Sequence, residues 1–177
     1  TVSTIDVAAK YLWDKGGMLV RSEGNSGAKS NALYNDPYAI LVSGSDGGDA
    51  LYGWSTYGMD VDVSAPGCAT VTANGGGYRG FCGTSSAAPE VAGLLALMWS
   101  QNPTASPQTI RDTLFASAKD LGTAGWDDRF GWGRIDAAAA MAALSGGTVT
   151  PPPVTPPLPP PPSLPELSAA SPSPSSA

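Results

Sequence analysis

The chain has 177 residues, of which 42% are hydrophobic and 14% are charged, and this allows one domain with a real core or part of a larger one. Its net charge of −6 argues against nucleic acid and anionic membranes as default partners. It has neither the run of about 18 apolar residues that a membrane span requires nor a recognisable signal peptide. Because it opens with Thr1 and not with methionine, we expect a fragment or processed piece.

The first predicted element is a helix close to the start of the chain. Ser3 or Thr4 can cap it, and the glycine pair at 16–17 can end it. Four apolar residues between these signals fall on one helical face: Ile5, Ala8, Ala9 and Leu12.

Short apolar runs follow and predict strands. The run MLV at 18–20 begins a buried strand that leads into the loop SEGNSG at 22–27. A second strand is predicted at 39–43, and VDVSAPG at 61–67 continues the β portion of the chain.

The remaining elements are helices. The first runs from about Ser85 to Ser100 and is apolar around almost its whole circumference, so we expect it to be buried. The pair Ser106-Pro107 starts the next helix, and the Ala-rich segment 136–144 forms the last. Helices that alternate with short apolar strands predict an α/β fold with a largely parallel sheet.

The only two cysteines, Cys68 and Cys82, flank two β-like runs around Asn74-Gly75, a favoured turn dipeptide. A hairpin at this place would bring the cysteines together. They could instead be two unrelated buried thiols, but the hairpin favours a disulfide. A disulfide in turn indicates an oxidising, extracytoplasmic setting.

The composition changes abruptly after Leu144. Residues 146–177 are dominated by Pro, Ser and Thr, and such a segment cannot bury enough apolar area to offset its ordering entropy. We interpret 1–145 as globular and 146–177 as a disordered, extended linker or tail. The alternative, a PxxP ligand, suits a cytosolic protein better than a secreted one.

Two polar positions stand out. Ser85 follows Gly83-Thr84 at the start of the long helix, where free amides and the helix dipole favour an oxyanion. Asn25 lies in a tight loop at the end of a buried strand, where its amide could also donate to an oxyanion. Taken alone, a serine in this place is far more often a helix cap than a nucleophile, and Asn25 is more often an ordinary turn residue.

Four motifs in the same order and spacing decide between these readings: GNSG at 24–27, VDVSAPG at 61–67, GTSSAAPEVAG at 83–93 and GWGRIDAAAAM at 131–141. Together they resemble the C-terminal part of the catalytic domain of a subtilisin-like serine protease (peptidase S8 family). The resemblance covers residues 1 to about 145. It implies a three-layer α/β/α sandwich with a mostly parallel sheet, incomplete at its N-terminus.

The resemblance also implies roles for individual residues. Ser85 would be the nucleophile of a serine endopeptidase that cleaves proteins or peptides, Asn25 would supply the oxyanion hole, and Thr84 would support it. Three further residues would form a wall of the primary specificity pocket: Ser22, Glu23 and Gly24.

The chain contains no histidine, so it lacks a base for Ser85. In the family the catalytic Asp and His lie upstream of the asparagine, and we expect a missing N-terminal segment of the same domain to supply both. Alone, the chain should be inactive and poorly folded. We interpret five aspartates as turn and surface carboxylates and assign none to a triad: Asp36, Asp46, Asp49, Asp60 and Asp62.

The resemblance implies no required cofactor. The family often carries structural calcium, but the sequence shows no ligand cluster that would assign a metal site. We expect the intact enzyme to be a secreted monomer.

Three positions depart from the family pattern. Arg21 and Glu23 replace small or apolar residues in the strand before Asn25 and could pair with each other, and Glu90 stands where the family usually has histidine. These departures leave open a catalytically inactive scaffold or binding module. An α/β-hydrolase turn does not fit, because its motif requires glycine where this chain has Ala87.

Overall fold

A three-stranded parallel sheet lies at the centre of the structure. The computed structural model describes residues 3–32 and 35–146. Its main sheet has the order β1 (Leu19–Ser22), β2 (Ala39–Ser45) and β3 (Val63–Pro66). All seven residues of β2 are buried, as expected of a central strand. Because parallel strands end at the same edge of a sheet, the segments that follow β1 and β3 begin at one edge, on either side of β2.

Helices cover both faces of this sheet. Their bounds are α1, Thr4–Asp14; α2, Thr84–Gln101; α3, Pro107–Ser117; and α4, Ala137–Leu144. Alternate residues of β2 point to opposite faces: Ala39 and Leu41 pack with Ala9 of α1, whereas Ile40 and Val42 belong to a larger core with α2, α3 and α4. The predicted three-layer α/β/α arrangement is therefore confirmed.

Local sequence signals start two of these helices. At α1, the Ser3 side chain accepts a hydrogen bond from the Asp6 amide (3.2 Å), and the Asp6 carboxylate accepts one from the Ser3 amide (2.8 Å). This reciprocal capping box satisfies two amides that a helix leaves free. At α3, Ser106 caps the Thr109 amide (3.1 Å) and Pro107 occupies the first turn, as predicted.

A disulfide-closed hairpin connects β3 to α2. Its strands, β4 (Cys68–Thr72) and β5 (Tyr78–Cys82), are antiparallel, and Cys68 lies directly opposite Cys82. The two cysteines are bonded, with their Cα atoms 4.1 Å apart, so the predicted hairpin and disulfide are confirmed. The turn reverses through glycines at 75–77 that have positive φ, a conformation that glycine adopts without strain.

The long helix α2 is not buried all round, contrary to its sequence pattern. The side that faces the sheet and α4 is buried, but an opposite stripe is exposed and carries Ala92, Gly93, Ala96 and Leu97, the last 55% exposed. Apolar composition sets what a helix can bury, whereas the neighbouring elements decide what it does bury. Among the described residues, no element covers this stripe and no strand pairs with the outer edge of β1.

The outer side of α1 is also partly apolar. Ile5, Tyr11 and Leu12 are 46%, 58% and 39% exposed, although Ile5 and Leu12 belong to the face that the sequence pattern defines. Of the helices in the described ranges, none combines the length and the apolar character needed to cross a membrane. The predicted tail falls outside the described residues from position 147 onward.

We predict that the chain expressed alone is poorly folded or aggregates, because the open edge of β1 and the apolar stripe on α2 remain in contact with water. Dye binding to exposed apolar surface and the absence of a cooperative unfolding transition would show this. A cooperative, reversible transition of the isolated chain would contradict the prediction.

A matched pair of variants tests the stripe itself. Leu97→Glu should raise the soluble fraction of the isolated chain, because it replaces the one large apolar side chain of the stripe with a charged one. Ser100→Glu adds the same charge at an exposed position one turn away and should raise solubility less. Equal gains would show that net charge, and not the stripe, controls aggregation.

Candidate active site

Ser85 is presented by a tight connection between β5 and α2, which we call the serine turn (residues 83–85). Gly83 links the hairpin to the helix with a φ of 145°, a region that residues with a Cβ rarely adopt. Its amide donates to the carbonyl of Gly67 at 2.8 Å, and Thr84 begins the helix. Ser85 therefore lies exposed in the first turn of an 18-residue helix, where backbone amides have no intrahelical acceptor.

Asn25 lies beside this turn, in the loop SEGNSG (residues 22–27) that follows β1. Its side-chain oxygen accepts hydrogen bonds from the Thr84 amide at 2.8 Å and the Thr84 hydroxyl at 3.0 Å. The same hydroxyl accepts from the Gly24 amide at 3.1 Å. Three hydrogen bonds thus join two segments about 59 residues apart in sequence.

These contacts fix the orientation of the Asn25 amide. A backbone amide can only donate, so the atom of Asn25 that faces Thr84 must be the oxygen. The nitrogen Nδ2 is turned to the other side and lies 3.2 Å from the position that a Cβ on Gly83 would occupy. Two donors that suit an oxyanion, Asn25 Nδ2 and the Ser85 amide, are therefore brought to the same exposed turn.

Thr56 holds the opposite side of the SEGNSG loop. Its hydroxyl accepts from the Ser26 amide at 3.0 Å and bonds to the Ser26 hydroxyl at 2.8 Å, while its own amide donates to the Gly24 carbonyl at 2.9 Å. The Gly27 amide also donates to the Trp54 carbonyl at 2.8 Å. Sequence reasoning missed Thr56, because a threonine 30 residues away carries no local signal of this contact.

Ser22 is the last residue of β1, and Glu23 and Gly24 connect this strand to Asn25. Ser22 is exposed, and the Glu23 amide continues the sheet by donating to Val42 O at 3.1 Å. Burial, followed by the neighbouring Asp60 carboxylate, raises the pKa of Glu23 to about 8. Arg21 opposes this shift by its charge, but among the ion pairs of the described residues there is none between Arg21 and Glu23.

Glu90 lies on the second turn of α2 and is half-buried. Burial raises its pKa, since a low-dielectric surrounding disfavours the charged form.

The interpretation of all five aspartates as turn and surface groups was wrong for two of them. Asp62 and Asp36 are only 5% and 7% exposed. Asp62 accepts from the Leu41 amide at 2.8 Å and from Asn35 at 3.0 Å, yet its burial raises its pKa to about 7. Burial likewise raises the pKa of Asp36. Within the described ranges, no group of three or more His, Cys, Asp or Glu side chains is placed to hold a metal ion.

Comparison with known proteins agrees with this geometry. The model of the Subtilase family (Peptidase_S8) matches residues 2–133. This chain belongs to the subtilase family. Alkaline elastase YaB from Bacillus sp. (strain YaB) is 36% identical over 141 residues, which cover 78% of this chain and 36% of that protein. Subtilisin BL from Lederbergia lenta is 35% identical over 141 residues, 78% of this chain and 51% of that protein.

A solved structure supports the fold. The crystal structure of a lanthipeptide protease matches with a TM-score of 0.70 at 22% identity, covering 78% of this chain and 54% of that chain. This subtilase chain spans about a third to a half of the length of the two relatives named above.

We predict that Gly83→Ala destabilises this subtilase by about 1–3 kcal/mol, because alanine is strained at this φ and its Cβ would crowd the Asn25 amide. Denaturant unfolding of the full-length protein measures the effect. Gly80→Ala is the matched control, since a Cβ on Gly80 of β5 meets nothing within 4 Å. Equal losses for the two variants would contradict the prediction.

We also predict that Glu23→Gln stabilises the full-length protein at alkaline pH relative to the parent. The pKa of Glu23 rises from 4.5 to about 8 on folding, so the folded state binds more protons and stability falls as pH rises through this window. Glutamine cannot ionise, and the variant should gain on the order of 1 kcal/mol near pH 9 but nothing at pH 4, allowing for solvent screening. Stability curves that stay parallel from pH 4 to 9 would contradict this.

Proposed function

We propose that this chain is the nucleophile-bearing part of a secreted, subtilisin-like serine endopeptidase. Ser85 attacks the scissile peptide carbonyl and gives a tetrahedral intermediate and then an acyl-enzyme, which water hydrolyses. Asn25 Nδ2 and the Ser85 amide donate to the oxyanion, and Thr84 holds Asn25 in place. The observation that carries this proposal is the set of hydrogen bonds between Thr84 and the Asn25 oxygen, because they direct the amide nitrogen away from Thr84.

The proposal requires a base that the chain itself does not contain, since it has no histidine. We propose that an N-terminal segment of the same domain supplies the catalytic His and Asp. Two features support this: the open outer edge of β1, which can accept a further strand, and the exposed apolar stripe on α2. Without this segment the chain should retain only oxyanion stabilisation and binding, and therefore little activity.

Residues 1–145 would then form the C-terminal portion of the catalytic domain, and 146–177 a linker or tail. Secretion is supported by the disulfide, which forms in oxidising compartments. A relative 33% identical to this chain is the minor extracellular protease Epr from Bacillus subtilis (strain 168).

A second candidate is an inactive protease-like scaffold. The presence of Glu23 in the SEGNSG loop is the observation that favours it, because a carboxyl group two residues from Asn25 opposes an oxyanion once it ionises above its pKa of about 8. The hydrogen bonds between Thr84 and Asn25, next to the exposed Ser85, favour the enzyme.

Sequencing the coding region upstream of Thr1 separates the two candidates. An in-frame segment with an aspartate motif followed by a histidine motif supports the enzyme, whereas a start site without histidine supports the scaffold.

In the full-length protein, Ser85→Ala should abolish peptide hydrolysis down to the residual level left by oxyanion stabilisation, a loss on the order of 10⁵–10⁶ in kcat. Initial rates on a chromogenic peptide measure this loss. Ser100→Ala, at the far end of the same helix, is the matched control and should keep full activity. Equal rates for Ser85→Ala and the parent would rule out Ser85 as the nucleophile.

Asn25→Asp tests the oxyanion donor separately from the structural role of this residue. Aspartate keeps an oxygen for Thr84 but lacks the Nδ2 donor, so kcat should fall by about 10²–10³ or more, with a much smaller change in KM. Asn74→Asp, in the exposed hairpin turn, is the control. A rise in KM without a change in kcat would contradict the oxyanion role.

A further inference from the structure

The disulfide Cys68–Cys82 lies immediately before the serine turn. Cys82 is three residues from Ser85 in sequence. On the side of the disulfide away from the hairpin turn, the Gly83 amide donates a hydrogen bond to the Gly67 carbonyl at 2.8 Å. We propose that this disulfide positions Ser85 for attack, so that its reduction by a dithiol lowers kcat. The inference rests on the proposed function and adds a positioning role for the two cysteines.

One end of the disulfide is fixed to the sheet. Cys68 follows Gly67, which is buried and whose amide donates to the Ser45 carbonyl at 2.8 Å. Gly67 also lies under the stacked rings of Tyr52 and Trp54, which leave no room for a side chain there: an added Cβ would approach them to 2.9 and 2.8 Å. The disulfide therefore ties β5 to a point that cannot move without displacing the end of β2 or the rings of Tyr52 and Trp54.

The other end of the disulfide, Cys82, precedes Gly83, which has no side chain to hold it in place. Thr84 is held by Asn25 and Gly24. Gly83, which joins Thr84 to the hairpin, has a φ of 145°, and glycine has more backbone freedom in this region than any other residue. With the disulfide closed, the position of Cys82 fixes one end of this glycine. With the disulfide open, the position of Cys82 rests on the β4–β5 pairing and on the hydrogen bond from Gly83 to Gly67.

The rest of the hairpin cannot replace the covalent bond. Most of residues 69–81 are exposed, Tyr78 by 79%, and glycines at 75–77 form the turn. A two-stranded hairpin of this kind is only marginally stable by itself. Loss of the disulfide should therefore loosen β5 and widen the range of positions open to Ser85.

Cys82 is exposed, so a thiolate can reach the bond. A dithiol reductant attacks one sulfur and forms a mixed disulfide. Its second thiol then closes a cyclic disulfide. Two electrons pass to the protein, which gains two thiols, and the reductant is oxidised; oxidised dithiol or oxygen reverses the reaction.

The test uses the full-length enzyme, treated with dithiothreitol and then freed of it. Complete reduction, verified by titration of two thiols, should lower kcat about tenfold or more, because small misplacements of a reacting group are costly. KM should change less than twofold, Ser85 should react correspondingly more slowly with a fluorophosphonate, and reoxidation should restore both rates. Circular dichroism should stay unchanged.

A second variant keeps the inference testable if reduction is incomplete. The double variant Cys68→Thr, Cys82→Thr retains a cross-strand pair suited to a hairpin and should show the same low kcat without any response to dithiothreitol. Tyr78→Ser, which alters the hairpin but keeps the disulfide, should retain the parent kcat and the dithiothreitol response.

Three outcomes would overturn the inference. Unchanged kcat after full reduction would overturn it alone and leave the proposed function intact. A loss of kcat that parallels a loss of circular dichroism signal would show general unfolding in place of positioning. Absence of Ser85-dependent hydrolysis in the oxidised enzyme would overturn the proposed function and this inference with it.

Discussion

The structure depends on one contact more than on any other, the bonding of Thr84 to the side-chain oxygen of Asn25. Thr84 is fully buried, and its hydroxyl accepts from one loop amide while it donates to the asparagine. Valine has the same shape but could do neither. Through this hydroxyl the end of β1 and the start of α2 become one unit, and both the exposure of Ser85 and the direction of the Asn25 amide follow from it.

Two carboxyl groups of the chain, those of Asp62 and Glu23, are at least partly removed from water. Asp62 is buried against the Leu41 amide, and Glu23 lies half-buried beside Asp60. For Asp62, desolvation outweighs the hydrogen bonds and raises the pKa to about 7. For Glu23, desolvation and the Asp60 carboxylate act together and raise the pKa to about 8. Two carboxyl groups therefore change charge close to neutral pH, although the chain contains no histidine to do so.

The predictable parts of this fold are those with local signals. The cap at Ser3 and the hairpin at Asn74-Gly75 are encoded within a few residues, and the alternation along β2 follows from strand geometry. The pairing of Cys68 with Cys82 followed from the hairpin, and the family resemblance singled out Asn25 and Ser85. Their bonded geometry became visible only in the structure.

Features that depend on distant partners could not be predicted. The hold of Thr56 on the SEGNSG loop and the burial of Asp62 rest on contacts made across 20 or more residues of sequence. The exposed side of α2 was missed for the same reason, because its residues are apolar on every side and only their neighbours decide which side is covered.

The exposed stripe of α2 also limits what can cover it. Ala92 and Ala96 are four residues apart, and Gly93 lies next to Ala92, so three of the four positions have almost no side chain. Helices usually pack with their axes about 8–10 Å apart, and small residues at the contact permit the lower end of this range. Whatever segment covers the stripe can approach the α2 backbone closely, with Leu97 as the single large side chain that must fit into it. The contact would then be held mainly by van der Waals packing between backbones, which tolerates little change in side-chain size on either surface.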